Sequence, residues 1–180
     1  MLIGPGGAGK GTVAQALVAR VPGLWLSRSW TTRPPRTGER PDAYVYVDTD
    51  AFMARVREDG FLEWAEFLGH LYGTPTPSPP LGFDVLLEID VQGARQVVAK
   101  RPGSIVILLV PPSAAVQERR MEARGDPAEE VARRVVAGHE EVRQARELAR
   151  SEVVNDDVER ATTEVAGIVE AARSARREHS

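Results

Sequence analysis

The sequence contains no cysteine, which excludes disulfides, thiolate metal sites and thiol nucleophiles. It has no apolar run near the ~20 residues that a membrane-spanning helix needs. The opening residues Met1-Leu2-Ile3-Gly4 are too short and too uncharged for a secretory signal, so the expected compartment is the cytoplasm and no membrane partner is expected. Positive charge is not in excess either. The formal net charge is −3, which argues against a broad surface for a nucleic acid polymer. Lysine is scarce while alanine, arginine, valine, glutamate and proline are frequent, a bias that reads as genome composition. His70, His139 and His179 show no metal-ligand spacing. What remains is a chain of 180 residues, 42% hydrophobic, enough for one domain with an ordinary core and small inserted lobes.

Apolar runs and helical patterns alternate. Met1-Leu2-Ile3 ends a short strand, and Lys10 to Arg20 reads as a helix with Val13 and Leu17 on one face. Trp25 to Ser27, Tyr44 to Val47, Phe61 to Phe67 and His70 to Tyr72 read as short strands. Asp50 to Glu58 reads as a helix capped by Thr49 or Asp50. Val85 to Asp90 and Ile105 to Val110 are continuous apolar runs, as in strands covered on both faces. Helices are expected over Val91 to Lys100, Ser113 to Arg124, Pro127 to Leu148 and Val158 to Arg177, with a last strand at Glu152 to Asn155. This order predicts an α/β core, with Ser29 to Tyr72 as an inserted strand-rich lobe. Thr74 to Pro80 holds four prolines and suits neither a regular helix nor a central strand. An extended, polyproline-like connector is expected there, with Gly73 and Gly82 as hinge candidates.

Gly4-Pro5-Gly6-Gly7-Ala8-Gly9-Lys10-Gly11-Thr12 has the spacing G-x-x-x-x-G-K. In such a loop, glycines let successive backbone N–H groups face a phosphate, and the following helix adds its positive end. Lys10 would reach the β- and γ-phosphates. Gly11 fills the usual hydroxyl slot, so Thr12 is the nearest hydroxyl for a metal or phosphate. The bland alternative is a chance glycine-rich turn, which the strand before it and the helix after it disfavour.

Ser29-Trp30-Thr31-Thr32-Arg33-Pro34-Pro35-Arg36-Thr37-Gly38-Glu39 carries two arginine forks suited to a phosphate on a proline-stiffened segment. It equally fits a solvated polar loop. Tyr44 and Tyr72 can add hydroxyls, although strand tyrosines usually serve packing. Glu63 lies in an apolar run, and Asp90 ends a buried strand where α/β sheets bind ligands. A carboxylate there can order Mg²⁺ waters or accept from the neighbouring donors of guanine; Glu88 reads more simply as a strand-end acid. Arg119, Arg120, Arg124, Arg133 and Arg134 surround Gly125-Asp126-Pro127. They suit either a solvated helix face or a segment that closes over a transferring phosphoryl group.

Together these segments resemble the guanylate kinase family over nearly the whole chain. The resemblance rests on the phosphate loop, Thr31 to Glu39, Phe61-Leu62-Glu63-Trp64-Ala65-Glu66, Tyr72-Gly73-Thr74-Pro75, Leu86 to Gly93 and Val153-Val154-Asn155-Asp156-Asp157. It implies a P-loop core with a five-stranded parallel sheet (residues 1–28 and 81–180), a GMP-binding lobe with its connector (29–80) and a lid at about 119–134. It implies phosphoryl transfer from MgATP to GMP or dGMP. Ser29, Glu63, Thr74 and Asp90 would recognise guanine, and Arg33, Arg36, Tyr44 and Tyr72 would hold the GMP phosphate. Gly7, Ala8, Gly9, Lys10, Gly11 and Thr12 would wrap the ATP phosphates, with Asn155 and Asp156 beside adenine. Lys10, Arg36, Arg124 and Arg134 would be the catalytic cations. Thr12 and Asp90 would serve Mg²⁺, Asp90 through water. A monomer or homodimer is expected. Rival readings are a binding module without catalysis and a related P-loop kinase for another phosphorylated small molecule.

The chain departs from the family pattern in four places. Trp30 replaces a small residue, and the Glu39–Tyr44 loop and the Arg124–Arg134 lid are each one residue short. The Thr74–Asp84 segment is shortened and proline-rich where the family has a helix. The strand before Gly4 is also minimal.

Overall fold

The computed structural model describes residues 1–36 and 38–178. Thr37 of the arginine-bearing loop, His179 and Ser180 lie outside the described residues. In chain order the elements are β1 (Leu2–Ile3), α1 (Lys10–Arg20), β2 (Leu24–Leu26), β3 (Trp30–Thr31), β4 (Val45–Tyr46), α2 (Thr49–Arg57), β5 (Phe61–Phe67) and β6 (His70–Pro75). There follow β7 (Asp84–Leu86), α3 (Val91–Lys100), β8 (Ile107–Val110), α4 (Ala114–Ala123), α5 (Ala128–Arg146), β9 (Ser151–Val154) and α6 (Val158–Glu178).

The core strands are all parallel. β1, β8 and β9 pair in that order, and β2 pairs with β7. A parallel bridge between Leu2 and Glu88 joins the two groups. There the Leu2 N–H donates to the Leu87 carbonyl at 2.8 Å, and Ile89 N–H donates to the Leu2 carbonyl at 3.3 Å. The order β2-β7-β1-β8-β9 is thus the five-stranded parallel sheet that the resemblance implies.

Two-residue β1 suffices because it is central and its side chains split between the two faces. Leu2 packs with Val13, Leu17, Leu109, Val153 and Val165, towards α1 and α6. Ile3 packs with Leu87, Ile89, Val97, Leu108 and Ala145, towards α3 and α5. Period-two alternation therefore feeds one strand into two cores, and each fully buried aliphatic side chain contributes about 1.5–3 kcal/mol.

The inserted segment forms its own four-stranded sheet, ordered β4-β3-β6-β5. Its core is aromatic. Phe52 of α2 stacks on Phe61 at 4.6 Å and meets Trp64 edge-on at 6.3 Å. Trp30 packs edge-on against Phe61 at 5.7 Å and under Arg55 at 5.8 Å. This aromatic cluster is where Trp30, the first departure, spends its bulk.

Several details correct the sequence reading. Helix α2 is capped by Asp48, whose side chain accepts from Ala51 N–H at 2.7 Å, and not by Thr49 or Asp50. Thr74 and Pro75 belong to β6, where β6 pairs with β5 alone because the β3 ladder ends at Gly73. A proline is tolerated there. Gly73 is no hinge: it is paired on both sides, and a Cβ would sit 2.9 Å from the Phe52 ring. The proline-rich residues 76–80 carry no helix, and a turn follows in which Phe83 N–H donates to the Pro80 carbonyl and Gly82 has φ +83°. No helix among the described residues is long and apolar enough to cross a membrane.

Candidate active site

The glycine-rich loop runs from the end of β1 into α1. Gly9, at the N-cap, has φ +86°, and a Cβ there would lie 2.4 Å from the Asn155 amide nitrogen. Both the left-handed backbone and the close approach require glycine. The first turn of α1 contains no acidic residue, so the positive end of its dipole is left for an anion. Lys10 Nζ donates to the Gly4 carbonyl at 2.5 Å and the Pro5 carbonyl at 3.3 Å. Two further loop carbonyls are braced from outside. Gln117 of α4 donates to Gly6 O and Asn155 donates to Ala8 O, both at 2.8 Å.

A cleft of about 700 Å³ opens between this loop and the inserted sheet. Gly7, Gly9, Lys10, Gly11 and Thr12 of the loop line it, together with Ser29, Arg33, Arg36, Tyr44, Glu63, Tyr72 and Asp90, and with Arg124 and Arg134. Most of the residues expected from sequence thus meet in one space. Ala8 is fully buried in the loop, and Thr74 stands behind the lining, sharing a 3.1 Å hydrogen bond with Ser29.

The structure does not bring Asn155 and Asp156 into the cleft lining. Asn155 is buried under the phosphate loop, with its amide on Ala8 and its carbonyl accepting from Arg120 at 2.8 Å. Asp156 is exposed and ion-paired to Arg160. In this arrangement the first is a loop brace and the second a surface acid. Arg120 is likewise committed to a structural hydrogen bond, while Arg119 and Arg133 are solvent-exposed.

Three carboxylates, Glu63, Glu88 and Asp90, line the cleft. Glu63 is buried in β5, and a Cβ on Gly93 would fall 2.3 Å from its Oε2. Burial is the main cause that pushes its carboxyl up to about 7, with Asp90 adding repulsion and hydrogen bonding to Thr74 pulling the other way. Asp90 caps α3: its Oδ1 accepts from Gly93 N–H at 2.8 Å. Glu88, read from sequence as an ordinary strand-end acid, faces the loop with its carboxylate 3.4 Å from where a Gly11 Cβ would stand. Burial raises its pKa, and the Lys10 charge opposes that rise.

In the same cleft, Arg33 is 5% exposed and donates to Glu39 Oε1 at 2.8 Å and to Pro34 O at 2.7 Å. Its guanidinium lies 5.5 Å from the Tyr44 ring centroid, and Tyr44 packs edge-on to Tyr72 at 6.2 Å. Burial raises the Tyr44 pKa, as do the nearby Glu88 and Tyr72. Burial works against the Glu39 charge, but hydrogen bonds from Arg33 and from the Arg36 backbone outweigh it and hold that carboxyl at about 2. Arg36 is ion-paired to Asp126 at 2.8 Å.

Sequence reasoning gave no role to Glu39, Asp126, Gln117 or Glu141. Glu39 and Asp126 stood within quoted motifs; Glu39 pairs within its own loop, with Arg33 and the Arg36 backbone, whereas Asp126 also reaches the distant Arg36. Glu141 of α5 lines the cleft, and burial raises its pKa to about 7; only its helical position facing Lys10 reveals it.

The guanylate kinase family profile matches residues 1–172. The chain belongs to the guanylate kinase family. A guanylate kinase of Parasynechococcus marenigrum is 42% identical over 175 residues, covering 94% of this chain and 96% of that one. One of Thermus thermophilus is 45% identical over 179 residues, covering 96% and 80%. The crystal structure of guanylate kinase from Anaplasma phagocytophilum superposes with a TM-score of 0.76 at 27% identity, covering 94% of this chain and 82% of that one. The likeness to that fold thus extends over most of this chain.

Proposed function

We propose that this guanylate kinase family member transfers the γ-phosphoryl group of ATP to GMP or dGMP, giving ADP and GDP. The observation that carries the reading is the one cleft lined by the Lys10 loop, the buried Glu63 and Asp90, and also by Arg33, Arg36, Arg124 and Arg134. Residues 1–28 and 81–180 act as the nucleotide core and 29–80 as the GMP lobe and connector.

Guanine presents N1–H and N2–H as adjacent donors. Glu63 and Asp90 accept from them, while the Ser29–Thr74 hydroxyl pair completes the edge. Arg33 and Arg36, with the Tyr44 and Tyr72 hydroxyls, hold the GMP phosphate. The loop amides from Gly7 to Thr12 and the Lys10 ammonium hold the ATP phosphates. With both nucleotides fixed in line, a GMP phosphate oxygen attacks the γ-phosphorus and the bond to the β–γ bridging oxygen breaks. Lys10, Arg36, Arg124 and Arg134 neutralise the charge spread over the transferring group. The GMP phosphate is already ionised near neutral pH, so no protein general base is required.

The donor set suits Mg²⁺. Among the described residues no three His, Asp or Glu side chains cluster as a dedicated metal cage. Mg²⁺ favours substrate phosphates and waters with one or two protein oxygens, which Thr12 and Asp90 offer in the cleft. When bound, the ion would neutralise phosphate charge.

Coupled ADP release with AMP, GMP, CMP, UMP and dGMP in turn tests the reading. Strong preference for the guanine nucleotides is expected. Equal use of AMP, or no turnover with any acceptor, would sink it. The cytoplasmic site of action belongs to the same proposal.

A further inference from the structure

Asp126 sits in the turn between α4 and α5, one residue past Gly125, whose φ of +85° reverses the chain. Its side chain is 2% exposed. The carboxylate faces three arginines from three places in the chain. Oδ1 pairs with Arg36 Nε at 2.8 Å. Oδ2 accepts from Arg124 Nε at 2.7 Å and lies 3.6 Å from Arg134 Nη1. Arg36 belongs to the loop after β3, while Arg124 and Arg134 belong to the lid.

These are the three arginines that the proposed mechanism brings to the transferring phosphoryl group. Three guanidinium groups so close repel one another. Burial lowers the Arg36 pKa, the Arg134, Arg33 and Arg124 charges add to this, and Asp126 opposes it. Among the described residues, a buried anion at their centre offsets the repulsion from the one place all three reach, while Glu130 pairs with Arg134 alone and Glu39 lies 4.0 Å from Arg36 Nη1. It also leaves a donor unspent: Arg134 Nε is buried without an acceptor among the described residues.

We propose that Asp126 is a positioning residue, the internal anion that assembles Arg36, Arg124 and Arg134 across the boundary between lobe and lid. This inference rests on the phosphoryl-transfer reading above. Asp126 touches no reacting atom; it acts through the arginines. Its two oxygens divide the task, one for the lobe arginine and one for the lid pair. Asparagine keeps the shape but has one acceptor oxygen and an amide that opposes a guanidinium donor. One of the two attachments must then fail, and the arginines are left partly uncompensated.

Asp126→Asn, with Asp126→Glu as the charge-retaining variant, tests this in two ways. In steady-state kinetics, Asp126→Asn should lower kcat about tenfold to a hundredfold, the scale of a misplaced catalytic group. The KM for GMP should change less than kcat, because of the three arginines only Arg36 also holds the GMP phosphate, beside Arg33, Tyr44 and Tyr72. Asp126→Glu should recover part of the loss. Separately, the Arg36 and Arg124 side-chain Nε–H resonances should be dispersed and slow to exchange in the unaltered protein. In Asp126→Asn at least one should collapse towards the free-arginine position, with backbone spectra unchanged outside the lid and the Arg36 loop. Unchanged Nε–H signals overturn the proposal, as does a loss confined to KM. A rise in kcat also overturns it, because the carboxylate would then be competing with phosphate. The resonance readout does not depend on any nucleotide. Collapse of the signals in a protein that does not use GMP would keep the assembly role and sink only the GMP reading.

Discussion

The Glu63 carboxylate fills the space where a side chain on Gly93 would be: a Cβ there would lie 2.3 Å from Oε2 and 2.8 Å from Cδ. Gly93 lies in the first turn of α3, whose cap is Asp90. The helix therefore positions both carboxylates, one by capping and one by leaving room. Alanine at 93 would improve helix propensity by up to ~1 kcal/mol, yet it would push Glu63 aside. Gly93→Ala should keep or raise Tm while the GMP-over-AMP ratio of kcat/KM falls about tenfold or more, because a site lacking its acceptor no longer discriminates. Undiminished discrimination would show that Glu63 does not read the base.

Glu63 also predicts a pH dependence. Its carboxyl is raised to about 7 in the folded protein from an ordinary 4.5. Between those values the folded state holds a proton that the unfolded chain has released, so stability falls as pH rises through the window. Guanine needs the ionised form, so kcat/KM for GMP should rise with pH through about 7, above the GMP phosphate's own ionisation near ~6. Glu141 titrates in the same range, so the informative curve is the difference between the unaltered protein and Glu63→Gln. A Glu63→Gln profile identical in shape would assign the titration elsewhere. The same variant should narrow the preference for GMP over AMP.

Lys10 now donates to the Gly4 and Pro5 carbonyls, bonds that any turn-capping cation can make. Its value lies in the transition state. Lys10→Ala should reduce kcat about a hundredfold or more with little change in Tm. Near-normal turnover in a folded variant would contradict the role given to the phosphate loop.

The connector at residues 76–80 carries no helix. With prolines fixing its backbone, it should give the GMP site less cover than a helix would, with Gly82, at φ +83°, as the expected hinge. Installing a helical segment of the family's length should lower the KM for GMP about severalfold and leave kcat unchanged, a shift in uniform binding. An unchanged KM would show that the cover does not matter.

Much of this protein is local and so was readable in its residues. A glycine loop before a helix, continuous apolar runs and proline-rich breaks act within a few residues of themselves. They determined the phosphate loop, α1 and the parallel core. They also determined the inserted lobe and the absence of a helix at 76–80. Even Asp90, ending an apolar run ahead of a helix, was legible as a site residue, though its capping bond was not. The tertiary structure decided which groups share a space. Asn155 followed a strand and was placed beside adenine by resemblance, and only the fold shows that its amide braces the Ala8 carbonyl. Glu88 looked like an ordinary strand-end acid until the sheet set it against the phosphate loop. Asp126 had two of its arginines nearby in sequence, and only the fold supplied Arg36, ninety residues earlier. Charges act through space, so their partners, and with them their pKa values and roles, are set by distances that chain order does not encode.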